Sequence, residues 1–320
     1  MGTGIFFALA AGLMWGLVFV TPLLLPEYPA ALLSFGRYLA FGLIALPLAW
    51  LDRARLAQLT RADWFEALKL AAVGNIVYYL FLASSIQHAG APLPTMIIGT
   101  LPVVIAVSSN LRDHRRDGRL PWRRLLPSLA LIAAGIALVN QVEMDHLRAD
   151  AHADLRRHVL GALLAVGAVV CWTWYPLRNA DWLRAHADRP PGTWATAQGL
   201  ATLPLALLGY LGWWGWSASA GEPFPMPLGP RPWVFVALMC AVGLFASWLG
   251  TLCWNEASQR LPTTLVGQLI VFETLSALAY AYLLRGRMPE PATLAGIALL
   301  VAGVLWALRV RPQPAVAHAA

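Results

Sequence analysis

Leu131-Ile132-Ala133-Ala134-Gly135 returns as Leu299-Leu300-Val301-Ala302-Gly303, 168 residues further along the chain. Pro94-Thr95 followed by Gly99 returns at the same distance as Pro262-Thr263 followed by Gly267. Ala71-Ala72-Val73-Gly74, with Trp64 before it, returns as Cys240-Ala241-Val242-Gly243 with Trp233, and Gly4 with Trp15 returns as Gly161 with Trp172. Repeats in the same order at nearly one spacing imply a duplicated unit. The expected organisation is a first repeat over 1–141, a polar linker over 142–157, a second repeat over 158–310 and a tail over 311–320.

What one unit contains follows from composition. The chain has 320 residues, of which 59% are apolar, 12% charged and 11% aromatic, with a mean hydropathy of +0.61. An ordinary soluble domain carries about twice that share of charge. The apolar residues fall into stretches of roughly 17 to 25 residues, the length that crosses a hydrocarbon core about 30 Å thick. The predicted spans are 3–25, 30–51, 64–87, 93–111, 123–141, 158–178, 194–216, 232–256, 262–284 and 291–310. Little chain is left over, which excludes a separate water-soluble catalytic or nucleic-acid-binding domain. Lipid offers no partner to an exposed peptide group and the runs lack strand alternation, so every span should be helical. Prolines punctuate the boundaries at Pro26, Pro29, Pro92, Pro190, Pro191, Pro262, Pro289 and Pro291.

Each copy thus holds five spans. Five is odd, so the second copy enters the membrane from the opposite side and the repeats are inverted. Basic residues set the orientation. With the N-terminus cytoplasmic, 15 Arg or Lys fall on the cytoplasmic side and 6 on the other, so both termini are expected inside. Trp213, Trp214, Trp216 and Trp233 then bracket the outer interface, where indole rings prefer to lie. The net charge of +7 comes from 23 basic residues, 22 of them Arg, set mostly at span ends rather than in a nucleic-acid-binding patch. Cys171, Cys240 and Cys253 lie within apolar spans without ligand spacing, so neither disulfide nor metal site is expected. The first span lacks a basic leader and a cleavage site and reads as a retained helix.

Leu13-Met14-Trp15-Gly16 in the first span, Gly36-Arg37-Tyr38 in the second, Leu101-Pro102 in the fourth and Leu294-Ala295-Gly296-Ile297-Ala298-Leu299-Leu300-Val301-Ala302-Gly303-Val304 in the tenth occur in an order that resembles the EamA branch of the drug/metabolite transporter superfamily. The resemblance covers essentially the whole chain. It implies a carrier of the bacterial inner membrane, often an exporter of amino acids or other small metabolites, with a cavity between spans 1, 3, 4, 6, 8 and 9. The chain departs from that pattern at Asn110-Leu111-Arg112-Asp113 and Arg285-Gly286-Arg287, where Gly-Glu is frequent, and at Thr274, where a proline is frequent. Its first span has no charge, so the coupling glutamate of the small four-helix relatives has no counterpart.

Glu273 lies near the middle of the ninth span, where an acid costs about 2.5–3.5 kcal/mol on insertion scales and turns toward a cavity or a partner. It is the expected proton or counter-ion site; a carboxyl that only locks helices together is the plain alternative. Arg37 in the second span is a second candidate counter-ion, although a structural bond to backbone or to a carboxylate suits it better. Lys69 pairs naturally with Glu66 one turn earlier, and Glu256 faces Arg260 either as a gate contact at the cytoplasmic interface or as a plain helix-end pair. The resemblance puts Trp15, Tyr78, Tyr79, Trp172, Trp174, Tyr175, Trp248 and Trp254 on cavity-lining spans, with about half expected to face inward. Together with Thr100, Gln268 and Glu273, aromatic walls would hold a small amphiphilic or cationic molecule through stacking and cation–π contact. Gly99, Pro102 and Gly267 are the expected hinges. Small residues of the fifth and tenth spans should pack a supporting pair.

The expected function is secondary active transport of an amino-acid-like or amphiphilic, cationic metabolite, with export the expected direction. There is no Walker A motif and no cofactor is expected. The partners are the bilayer and a small molecule, with the proton open as coupling ion, for a monomer or weak homodimer. A membrane-embedded enzyme would need clustered His, Asp or Glu near one interface, whereas the acids here are solitary. A non-transporting sensor or assembly factor is the third reading.

Overall fold

The computed structural model describes residues 2–89, 92–112, 121–148, 155–221, 223–286, 288–307 and 309. Among them the regular structure is all helical: α1 (Gly2–Trp15), α2 (Leu17–Leu24), α3 (Ala30–Leu51), α4 (Arg53–Leu56), α5 (Arg61–Leu70), α6 (Tyr78–Ala89), α7 (Pro92–Ile98), α8 (Leu101–Leu111), α9 (Trp122–Arg148), α10 (Leu155–Ala185), α11 (Pro191–Ala220), α12 (Pro232–Val242), α13 (Gly250–Arg260), α14 (Thr263–Leu269), α15 (Val271–Arg285) and α16 (Pro291–Ala307). Two π-helical turns, Ala71–Val77 and Gly243–Leu249, join α5 to α6 and α12 to α13 without a break in the rod. Among the described residues, six stretches are long and apolar enough to cross a bilayer: Gly2–Leu24, Ala30–Leu51, Arg61–Ala89, Arg156–Ala185, Pro232–Arg260 and Thr263–Leu284.

Local sequence explains the boundaries. Thr60 and Asp63 form a reciprocal capping box that starts α5. Gly221 (φ 68°) and Gly286 (φ 60°) end α11 and α15 in the left-handed conformation that a Cβ disfavours. The helices overlap the expected spans but run past several of their ends: α10 continues to Ala185, α11 to Ala220 and α13 to Arg260. The polar linker expected from 142 is helical through Arg148, and α10 begins at Leu155. Val142 to Arg148 contains neither Gly nor Pro, so nothing stops the helix where the apolar run ends; only 149–154 of that linker lie outside the described residues.

The rods pair in a regular scheme: α9 with α16, α3 with α11, α6 with α10, α1 with α13, and α8 with α14. Exchanging each rod for the one whose sequence resembles it, as α9 for α16 and α6 for α13, turns this set of pairs into itself. The α9–α16 contact rests on the stretch that reveals the repeat. A Cβ on Gly135 would lie 2.7 Å from the Gly296 carbonyl oxygen, and one on Gly303 would lie 2.7 Å from Ile132, so only hydrogen at these positions lets the backbones approach. Ser128 Oγ seals the pair by donating to the Gly303 carbonyl at 2.9 Å. The alanines of the same runs, Ala134 and Ala302, face outward.

Charges gather at the rod ends. Glu66, buried at the start of the third rod, accepts from Arg178 at 2.5 and 3.1 Å and pairs with Lys69 at 2.5 Å. Lys69 thus has the structural role that its spacing suggests. Arg178 and Lys69 are partly solvated, so Glu66→Gln should cost only about 1 kcal/mol despite the buried acceptor. Thermal unfolding in detergent would measure it, and an unchanged midpoint would contradict the role. Glu256 and Arg260 also pair, as expected.

Candidate functional site

The irregular backbone of several rods meets at one level. α1 and α2 part at Gly16, α14 and α15 part at Ile270, and the two π turns lie at 71–77 and 243–249. A π turn rotates and frees groups that a regular helix would consume, and it often marks a functional place. Between these points lies a narrow hollow of about 20 Å3, room for about one water molecule. Trp15 and Val18 reach it from either side of the Gly16 break, Arg37 and Tyr38 from α3, Asn75 from the first π turn and Tyr78 from α6. Trp172 closes it from α10, Ala246 and Ser247 from the second π turn, Thr251 from α13 and Glu273 from the first turn of α15.

Two charged side chains face this space. Glu273, 6% exposed, stands at the N-terminal end of α15, where the aligned peptide dipoles favour negative charge. Its carboxyl makes no hydrogen bond to a described residue. Arg37, also 6% exposed, donates from Nε to Ser247 Oγ at 3.0 Å and from Nη2 to the Ala246 carbonyl at 3.2 Å. The π turn favours this contact: the Gly250 amide, which would serve that carbonyl in an α-helix, reaches the Phe245 and Ser247 carbonyls instead. The guanidinium also lies 4.9 Å from the Tyr38 ring centre and 5.1 Å from that of Tyr79. A fixed cation and an acid therefore share one narrow space without pairing directly, the kind of arrangement that responds to arrival or loss of a charge.

The aromatic residues are less open than the sequence suggests. Trp172 is sandwiched between Tyr78 at 4.8 Å and Tyr175 at 4.9 Å, so both its faces are taken. Trp15 meets Trp172 edge-on at 5.3 Å and Trp254 at 5.1 Å. In this state Arg37 covers Tyr38 and Tyr79. The faces of these rings thus serve the protein's own groups.

To one side, a polar network ties the rods together. Asn179 donates to Asn255 Oδ1 at 2.8 Å and accepts from Trp194 Nε1 at 2.9 Å and Gln198 Nε2 at 3.1 Å, while Tyr175 donates to Gln198 Oε1 at 2.7 Å. Asn75, which lines the hollow, donates to Thr202 Oγ1 at 3.0 Å, and Thr202 donates to the Gln198 carbonyl at 2.7 Å. Among the described residues no group of three or more His, Cys, Asp or Glu is placed to hold a metal ion.

The comparisons fall on this arrangement. The EamA-like transporter family matches over residues 2–141. An inner membrane protein, YtfF of Escherichia coli (strain K12), is 56% identical over 313 residues, covering 98% of this chain and 97% of its own. The chain belongs to the EamA-like transporter family. A protein named uncharacterized transporter YwfM, from Bacillus subtilis (strain 168), is 26% identical over 307 residues, with 93% of this chain and 91% of its own covered. One crystal structure superposes with a TM-score of 0.70 over 95% of this chain and 96% of that one, at 18% identity, which speaks for the fold alone. This EamA-like chain is thus a multi-pass inner-membrane protein of a transporter family.

Of the residues singled out in this EamA-like sequence, Trp15, Arg37, Tyr78, Trp172 and Glu273 meet at the hollow. Tyr79 and Tyr175 lie just behind it. Trp248 points elsewhere and donates to Thr196 Oγ1 at 3.1 Å. Thr100 donates to the Ile97 carbonyl at 2.6 Å and does not line the hollow, nor does Gln268, which is buried in α14 with its Nε2 unpaired. Gly99 and Thr100 form the break between α7 and α8, while Pro102 starts α8, where its missing N–H goes unneeded, rather than bending a continuous helix. Gly267 packs against Ile105 of α8, three residues before the break at Ile270. Sequence reasoning missed Val18, Tyr38, Asn75, Ala246, Ser247 and Thr251 at the hollow. One signal was present: Gly74 lies within the first π turn and its repeat partner Gly243 begins the second.

Proposed function

We propose that this protein is a secondary active transporter that moves a small metabolite across the inner membrane by alternating access, with Glu273 as its proton-bearing or counter-ion group. The observation that carries the reading is the buried Glu273 carboxyl, without a hydrogen bond among the described residues, in a hollow walled by both halves of the chain, at the level where four rods lose regular helical geometry. Such irregular backbone at membrane depth is tolerated where it is packed in protein or lines a cavity, and it marks binding sites in carriers built from inverted repeats.

The layout proposed is ten spans in two inverted five-helix halves, 1–141 and 158–310, with both termini cytoplasmic. The exchange symmetry of the rod pairs and the family match ending at 141 support the two halves; the distribution of Arg supports the orientation. The cargo is a small amino-acid-like or amphiphilic compound, export is the direction, and no bound cofactor takes part. A hollow of one-water size is an occluded state that must widen to admit it.

A thermal-shift screen of metabolites on the purified protein, followed by flux of each stabilising compound in proteoliposomes with and without a proton gradient, tests the reading. Flux accelerated by the gradient is the expected result. Stabilisation without any flux would instead make the protein a sensor.

A further inference from the structure

On the side of the hollow away from Glu66 and Arg178, one arginine ties three segments together. Arg231, just before α12, pairs through Nε with the Glu27 carboxylate and donates from Nη2 to the Leu24 carbonyl at 2.6 Å, at the end of α2. Its backbone N–H donates to Tyr28 Oη at 2.9 Å, and Tyr28 in turn donates to the Leu228 carbonyl at 2.9 Å. The Tyr28 ring stacks on Phe235 of α12 at 5.0 Å and meets Phe224 edge-on at 5.3 Å. Loop 223–231 is thereby strapped across loop 25–29.

Of the two half-helices so joined, α2 lines the hollow on this side and α12 leads into the π turn that lines it. α2 carries Val18 and is separated from α1 by the Gly16 break. α12 is separated from α13 by the π turn that carries Ala246 and Ser247. Each half-helix thus has a backbone irregularity at the level of the hollow and a tether at its far end, which is the construction of a hinged flap with a catch.

We propose that Arg231 is the latch of the outer gate, holding α2 to α12 while the hollow is closed, and that its release lets these half-helices swing apart and open the hollow to the outside. This rests on the carrier reading. Arg231 and Glu27 are both partly exposed, and an exposed ion pair is weak, as a catch that must open in each cycle requires. Arg231 holds the Glu27 carboxyl below its ordinary range, chiefly by its hydrogen bond. The pair therefore stays charged at neutral pH and is lost as pH falls through that lowered value.

The test uses full-length protein with Cys171, Cys240 and Cys253 replaced and a single Val18→Cys reporter, labelled by a membrane-impermeant charged thiosulfonate in right-side-out and in inside-out vesicles. Glu27→Gln and Arg231→Gln should each raise the labelling rate from the outer face by about tenfold, within the usual span of coupling between two sites, and lower it from the inner face. Arg231→Lys, which keeps the charge but loses the two-pronged grip, should give an intermediate rate, and the exchange of Glu27→Arg with Arg231→Glu should restore part of the slow rate. A rise from the inner face alone would uphold the latch while reversing the assigned orientation. Rates that stay unchanged, or that rise equally from both faces as in a loosened fold, would overturn the proposal.

Discussion

Replacing Glu273 by Gln should abolish the pH dependence of transport and reduce gradient-driven flux by about 5- to 150-fold, the range of a coupling free energy of about 1–3 kcal/mol. Gln keeps the volume and one oxygen of the side chain but cannot take up or release a proton. The fold should survive. The wild-type carboxyl makes no side-chain hydrogen bond to a described residue, so the substitution breaks no such bond. An apolar setting also holds a neutral amide more cheaply than an acid. The thermal midpoint of Glu273→Gln is therefore expected at or above that of the parent. Flux and pH profile together read the effect in reconstituted vesicles; if both are unaltered, Glu273 has no part in the mechanism.

The second large effect lies one helix away. Gly12 and Gly16 on the first rod press against α15: a Cβ on Gly12 would stand 2.9 Å from the Glu273 backbone nitrogen, and one on Gly16 would stand 2.7 Å from Ser276 Cβ. The obstacle at Gly12 is helix backbone, which cannot turn aside as a side chain can. Gly12→Ala should thus force α1 and α15 apart at a cost of about 1–3 kcal/mol, displacing the first turn that carries Glu273. Gly212→Ala is the matched control, because a Cβ there meets nothing within 4 Å, and alanine in a helix interior should be neutral or stabilising. Thermal unfolding of the two variants side by side measures the difference; equal midpoints would show that the contact is looser than described.

These two expectations draw on different depths of the sequence. Glu273 was legible because a lone acid in an apolar span is costly wherever it points, and the cost is a property of the residue. The spans were legible for the same kind of reason, since lipid enforces helix and helix length follows bilayer thickness. The packing of Gly135 and Gly303 followed from a repeated small-residue run. What stayed hidden was backbone detail that composition does not encode. Nothing in Gly243-Leu244-Phe245-Ala246 announces that one amide will skip a residue and leave a carbonyl for Arg37, and Tyr38 and Asn75 look like any polar residue in a helix. The stacking was hidden too: the aromatic count was visible, but Tyr78 reaches Trp172, which already stacks on Tyr175 of its own helix, only because α6 packs against α10. Pro102 was expected to bend a helix and instead begins one, since the break had already formed at Gly99 and Thr100.

The most direct test asks whether the hollow is reached from both sides of the membrane. In cysteine-free protein carrying Thr251→Cys, a hollow-lining position, an impermeant thiol reagent should label the reporter in right-side-out and in inside-out vesicles alike, with a compound that favours one rate reducing the other. Labelling from a single face under every condition, or from neither, would contradict alternating access around Glu273.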